Sequence, residues 1–147
     1  MNMPPRITLL VFAFNQSALV EAAVRSCLAQ DSEPLEIVLS DDASTDDTLV
    51  VLQALAAAYS GPHRVRVRRN AVNLGVGAHY NAAVADCGGQ LIVTAAGDDI
   101  SLPHRVRTLA AKSAALSCQA KRGSALRFLR GLWFLSAGRL RVRRSIL

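Results

Sequence analysis

The sequence predicts an α/β fold, a mostly parallel sheet flanked by helices. Three observations predict it. Short apolar runs of strand length alternate with segments of helical period. Gly-, Asn- and Pro-containing stretches separate them. Two of the apolar runs end in acidic pairs, at the strand ends where open parallel sheets bind ligands.

The elements follow in order. Ile7–Phe14 is continuously apolar with β-branched members, a buried strand. Ser17 can cap the helix that follows, along which Leu19, Ala22, Ala23, Ser26, Cys27 and Gln30 recur at steps of three and four. Leu35–Leu39 is a second buried strand, ending at Ser40-Asp41-Asp42. Ala43-Ser44-Thr45-Asp46 is turn chemistry, with Ser44 or Asp46 as cap for a helix carrying Leu49, Val50, Leu52, Leu55 and Ala56. That helix stops near Ser60-Gly61-Pro62. Arg64-Val65-Arg66-Val67-Arg68 alternates with period two, a strand with one solvated face. Asn70–Gly77 is a loop, Ala78–Cys87 a helix of small residues ended by Gly88-Gly89, and Leu91–Ala95 a fourth strand. Gly97-Asp98-Asp99 lies just past it. After about Thr108 the apolar period fades, leaving a basic amphipathic segment, Ser124–Gly138, and a basic run, Arg139–Arg144.

Charge divides the chain at the same place. Residues 1–99 hold all 11 acidic side chains and six of the 17 basic ones; residues 100–147 hold the rest of the basic residues and no carboxylate. The pI near 10.0 therefore belongs to the last third, and nucleic-acid binding is not expected of the acidic part. Three widely spaced cysteines, Cys27, Cys87 and Cys118, form neither a metal signature nor a disulfide framework. Cys27 and Cys87 sit among helical apolar residues and read as buried thiols, which fits a reducing compartment and a cytoplasmic location. Ile7–Phe14 after Arg6 has the look of a signal-peptide core, but it is short and runs into a polar turn and an amphipathic pattern, so a strand explains it better. No stretch reaches the roughly 18 apolar residues that span a bilayer.

The acidic clusters carry the chemistry. A sugar nucleotide bears a diphosphate, and breaking the sugar–phosphate bond adds charge to the leaving group. Mg²⁺ or Mn²⁺ held by one or two carboxylates bridges the phosphate oxygens and stabilises that charge. Asp98-Asp99, on a Gly-permitted turn, is placed for it, although Gly-Asp is also ordinary turn chemistry. In Asp41-Asp42-Ala43-Ser44-Thr45-Asp46, capping accounts for Ser44 and Asp46 but not for two adjacent carboxylates that repel one another. A carboxylate there can accept from a base N–H or a ribose hydroxyl.

Taken together, residues 6–110 resemble the nucleotide-binding half of the family 2 glycosyltransferases. The pieces run in family order: Phe14-Asn15; Ser26 through Gln30; Glu36-Ile37-Val38; Asp41-Asp42-Ala43-Ser44-Thr45-Asp46 with Thr48; Asn73-Leu74-Gly75; Asn81; Gly89; and Gly97-Asp98-Asp99 with Leu102-Pro103 and Arg105. The resemblance implies a Rossmann-like sheet of glycosyltransferase A type, apparently truncated. It implies a nucleotide-diphosphate sugar donor, a hydroxyl acceptor, a divalent cation (Mg or Mn) and inverting transfer. Residue by residue, it implies that Asp42 bonds the base or ribose and Asp41 supports it. Asn73 and Gly75 would lie in the loop facing the donor, and Asp99 with Asp98 would hold the metal. Ser26, Gln30, Asn81 and Pro103 look like scaffold positions, and Asn15 a strand-end cap.

Two departures qualify the resemblance. Ala96 replaces the first carboxylate of the family's Asp-x-Asp. The base that deprotonates the acceptor, an Asp or Glu in the half that normally follows, has no counterpart among residues 100–147. His104 is the one histidine beyond the acidic pair, in a turn. The chain thus divides into a nucleotide-sugar-binding domain, residues 1–110, and a basic tail, residues 111–147. The tail has three readings: a non-native end left by a shifted frame or a cut gene, a helix contacting a membrane surface or partner, or a nucleic-acid arm. Its loss of family order favours the first; the second would place the protein at the inner face of the membrane. The rival to a transferase is a catalytically inactive nucleotide-binding or docking module with the tail as its contact surface.

Overall fold

A computed structural model describes residues 7–122. Four strands and four helices alternate: β1 (Ile7–Ala13), α1 (Val20–Leu28), β2 (Glu36–Asp41), α2 (Thr48–Ala58), β3 (Arg64–Arg69), α3 (Gly75–Ala85), β4 (Leu91–Ala96) and α4 (Arg105–Arg122). All the strand pairs are parallel and the order is β3-β2-β1-β4. The chain steps outward from β1 to β3, and α3 then returns it across the sheet to β4, on the far side of β1. The order reverses between β1 and β4, where a sheet of this kind opens a crevice at its C-terminal edge.

The central strands are apolar on both faces because helices cover both faces. Leu9, Val11, Ile37, Leu39 and Val93 pack with Val20, Val24 and Cys27 of α1, Leu52 and Leu55 of α2, and Val106 of α4. Leu10, Val38 and Ile92 face the other way, with Phe12, against Ala83 and Val84 of α3. At the N-terminal edge Gly89 is obligatory. A Cβ there would meet the Thr8 backbone nitrogen at 2.5 Å, a contact backbone cannot yield.

The structure changes several expected boundaries. α1 begins at Val20, and its orphan amides at Leu19 and Val20 donate to the Gln16 carbonyl, so Ser17 is not its cap. Ser17 instead donates its amide to Asp46. α3 begins at Gly75, three residues before the expected Ala78. The arginines of β3 are not simply solvated: Arg66 pairs with Glu36, and Arg68 with Asp86 at the end of α3. Cys27 is fully buried, and Cys87 half-buried with its thiol pushed up to about 11 by burial. α4 runs to Arg122, with Ala110, Ala111 and Ala114 favouring a helix by propensity where no apolar period marks one. Ser124–Gly138 and Arg139–Arg144 lie outside the described residues. No described helix is long and apolar enough to cross a membrane.

Candidate functional site

The two acidic clusters stand on one rim. Parallel register sets Ala13 beside Asp41 and Phe12 beside Ala96, so β2 and β4 end on either side of β1. At a strand spacing of about 4.8 Å, the two ends lie on the order of 10 Å apart, within the span of one nucleotide diphosphate.

Asp98 and Asp99 are exposed on a tight turn closed by the Asp99 amide on the Ala96 carbonyl (3.1 Å). Gly97 seats that turn. Its amide bonds the Phe12 carbonyl at 2.7 Å, and a Cβ there would lie 2.5 Å from Gln16 Oε1 and 3.0 Å from the Phe12 carbonyl oxygen. Only glycine lets the acidic turn sit this close to the end of β1. The turn is held from the other side by the residues expected to be scaffold. Gln30 donates to the Leu102 carbonyl (2.9 Å) and accepts from the Val106 amide (3.0 Å). Ser26 accepts from the Ser101 amide, and the Pro103 carbonyl accepts from Asp31. Arg105 reaches back to the Thr94 carbonyl.

Asp41 and Asp42 differ in what they do. Asp41 is fully buried. Its Oδ2 accepts from the Ser44 amide (3.0 Å) and faces Arg69 Nε (3.4 Å); its Oδ1 is buried with no hydrogen-bond partner. Asp42, 2% exposed, has both oxygens hydrogen-bonded. Oδ1 accepts from Asn70 Nδ2 (2.7 Å) and the Leu74 amide (3.0 Å), and Oδ2 from the Gly75 amide (3.0 Å). It therefore caps α3 across 33 residues of sequence. Burial pushes its carboxyl up, but the Leu74 amide, the Asn70 side chain, His79 and the Gly75 amide together hold it below its ordinary range. Asn73 is exposed in the same loop, its Oδ1 accepting from the Gly75 amide (3.1 Å). Gly75 has a φ of 73°, which its lack of a Cβ permits.

The connections after β1 and β2 are stitched together. Asn15, at a φ of 50°, accepts from Thr45 and donates its amide to Ser44 Oγ (3.0 Å). Asp46 accepts from the Thr48 amide and hydroxyl and from Ser17, and those bonds, the Thr48 hydroxyl's first, hold its carboxyl low. Ser40, Asn70 and His79, buried beneath the rim, were not singled out in the sequence. A histidine in a helix of small residues was the available signal.

Two carboxylates on a turn suit a cation that takes its remaining ligands from phosphate and water. Among the described residues no cluster of three or more His, Cys, Asp or Glu side chains forms a site closed by protein alone. The large apolar side chains left exposed among the described residues include Val72, Val76, Ile100 and Leu102, in or beside the segments that follow β3 and β4.

A parallel sheet with acidic groups at its switch point is an open α/β domain whose ligand crevice lies at the C-terminal strand ends. Residues 8–120 match the model of glycosyl transferase family 2, and the chain belongs to that family. It is 34% identical over 115 residues to the succinoglycan biosynthesis protein ExoO of Rhizobium meliloti, covering 78% of this chain and 32% of that protein. Solved structures share the fold. One is S. aureus TarS 1–349 in complex with UDP-GlcNAc, with TM-score 0.65 and 23% identity over 75% of this chain and 31% of that one. Another is the mannosyltransferase PcManGT from Pyrobaculum calidifontis in complex with GDP-Man and Mn²⁺, with TM-score 0.64 and 23% identity over 71% of this chain and 31% of that one. The chain spans about a third of the length of these relatives.

Proposed function

We propose that this domain binds a nucleotide-diphosphate sugar through Mg²⁺ or Mn²⁺ for inverting transfer of the sugar to an acceptor hydroxyl. The observation that carries the reading is the placement of both acidic pairs on one rim, astride the β1–β4 reversal. Asp99, with Asp98, would hold the cation, which neutralises the diphosphate as it leaves. Asp41 offers the nucleotide an acceptor through Oδ1, the one oxygen of the buried pair without a partner, while the Ser44 amide and Arg69 hold its Oδ2. Asp42 acts through the loop it holds, presenting Asn73 and Gly75 toward the donor. The bound complexes of TarS with UDP-GlcNAc and of PcManGT with GDP-Man and Mn²⁺ support this class of donor and cation.

The acceptor would approach across the apolar lip of Val72, Val76, Ile100 and Leu102. A positioned base is worth typically 10²–10⁴-fold in rate, and residues 100–147 supply no carboxylate for it. His104 is exposed at the start of α4. Donor binding with little or no transfer is therefore the behaviour assigned to this chain alone. The cytoplasm, with contact at the inner membrane face, is the location assigned to it.

The test is substitution. Asp98→Asn with Asp99→Asn should remove the Mn²⁺ dependence of nucleotide binding and leave the thermal unfolding midpoint within a few degrees, because both side chains are exposed. Mn²⁺-dependent binding that survives the double change overturns the metal assignment.

A further inference from the structure

Beneath the rim, between β2, β3 and α3, two arms of polar side chains run from Arg68 toward Asp42. Arg68 Nη1 donates to Ser40 Oγ (2.8 Å), and Ser40 Oγ lies 2.6 Å from His79 Nε2. His79 Nδ1 faces Asp42 Oδ2 at 3.8 Å. On the other arm, Arg68 Nη2 donates to Asn70 Oδ1 (2.8 Å), and Asn70 Nδ2 donates to Asp42 Oδ1 (2.7 Å). His79 is 4% exposed, and Phe12 packs edge-on against its ring. Neither metal binding nor leaving-group chemistry uses these groups.

These arms fix the ring's proton. Arg68 can only donate, so it occupies a lone pair of Ser40 Oγ and polarises the hydroxyl. The ionised Asp42 Oδ2 can only accept, so the ring keeps its proton on Nδ1, toward Asp42, and Nε2 is left to accept from the Ser40 hydroxyl. The charged groups around the ring are Asp42, Asp41 and Arg68. Burial, with Arg68, outweighs the two carboxylates and keeps the imidazole neutral at pH 7. A second proton on Nε2 would collide with the Ser40 hydroxyl proton and break that arm.

We propose that His79 is a positioning residue for the nucleotide-binding loop. Its Nδ1–H dipole, 3.8 Å from Oδ2, steadies the Asp42 carboxylate electrostatically, and Asp42 holds the Leu74 and Gly75 amides in the conformation that meets the donor. The proposal deepens the reading of the rim as a nucleotide site and rests on it.

The first test needs no nucleotide. Imidazole ¹⁵N shifts of the full chain should show the neutral His79 ring as the Nδ1–H form. The amide resonances of Leu74 and Gly75 should move with pH at His79's own midpoint, and in His79→Gln they should show no inflection there. Binding of UDP with Mg²⁺ should weaken about tenfold in His79→Gln, a coupling of ordinary size. Ser40→Ala, which keeps the ring and frees Nε2, should weaken it less and shift the tautomer toward Nε2–H. An Nε2–H ring in the unaltered protein, or Leu74 and Gly75 amides flat through the His79 titration, overturns the proposal even if a variant fails to fold. Failure of UDP to bind any of the proteins would count against the rim as a nucleotide site and leave the ring and amide results to decide the positioning role.

Discussion

Ala43 carries a φ of 59° in the turn after β2. The left-handed region costs an L-residue roughly 1–2 kcal/mol, and glycine largely escapes that cost. Ala43→Gly should therefore raise stability by about 1 kcal/mol, read as a higher midpoint in urea with an unchanged slope. Gly97→Ala should do the reverse. Gln16 can swing its amide aside, but the Phe12 carbonyl oxygen at 3.0 Å and Ala13 Cβ at 3.2 Å are fixed. A loss of about 1–3 kcal/mol is expected, together with weaker Mn²⁺ binding as the acidic turn is pushed outward. Asp42→Ala strips partners from the Asn70 side chain and the Leu74 amide and leaves the Gly75 amide with Asn73 alone. It should cost several kcal/mol, since each buried donor left unsatisfied costs about 1–3 kcal/mol, and an unchanged urea midpoint would refute the capping role. These residues mark the limit of reading from sequence. A carboxylate after an apolar run shows that a strand end is acidic. It does not show that Asp42 turns inward onto amides more than 30 residues away while Asp41 keeps an unpaired oxygen.

Among the elements, the buried histidines set the pH response. His63 lies between α2 and β3, its ring bonding the Leu35 amide and the Gln30 carbonyl, and burial lowers its pKa as it does for His79. An unfolded histidine gains its proton near pH 6.5, before either folded ring does, so the unfolded chain binds more protons below that pH. Stability should be full above pH 6.5 and should fall as pH drops from there toward the folded values. Glu36 and Asp42 add a second loss. Burial raises both, but hydrogen bonds from Thr8, Gly88 and Arg66 to Glu36, and those to Asp42, bring them below 4.5 and 3.8. Their contribution is complete above those values and disappears as pH falls through the folded ones. Urea midpoints measured from pH 8 to pH 3 should thus decline in two stages. A flat profile between pH 7 and pH 5 would contradict the burial of the two rings. The elements themselves were legible. Continuous apolar runs gave the central strands, and the alternating arginines gave β3. The start of α3 was not, because Asn73-Leu74-Gly75 reads as loop until Asp42 caps it. Nor was the length of α4, whose alanines carry no apolar period.

For the whole molecule, alternation of strand and helix implied the parallel sheet, but the return of α3 across it, which creates the crevice, depends on tertiary packing. The family match runs through residue 120, and α4 through Arg122. Near the acidic strand ends, Val72, Val76, Ile100 and Leu102 are exposed apolar side chains. Replacing Val76 and Ile100 with Asp should leave donor binding intact, because both point away from the core. Loss of binding with retained fold would extend the donor site to the lip.

If the rim grips a nucleotide diphosphate through a cation, isothermal calorimetry will detect it. Titrating UDP, GDP and dTDP in turn, with and without Mn²⁺, should give saturable binding of at least one nucleotide, tighter when the metal is present. Heats no larger than dilution for all three, in both conditions, would contradict it.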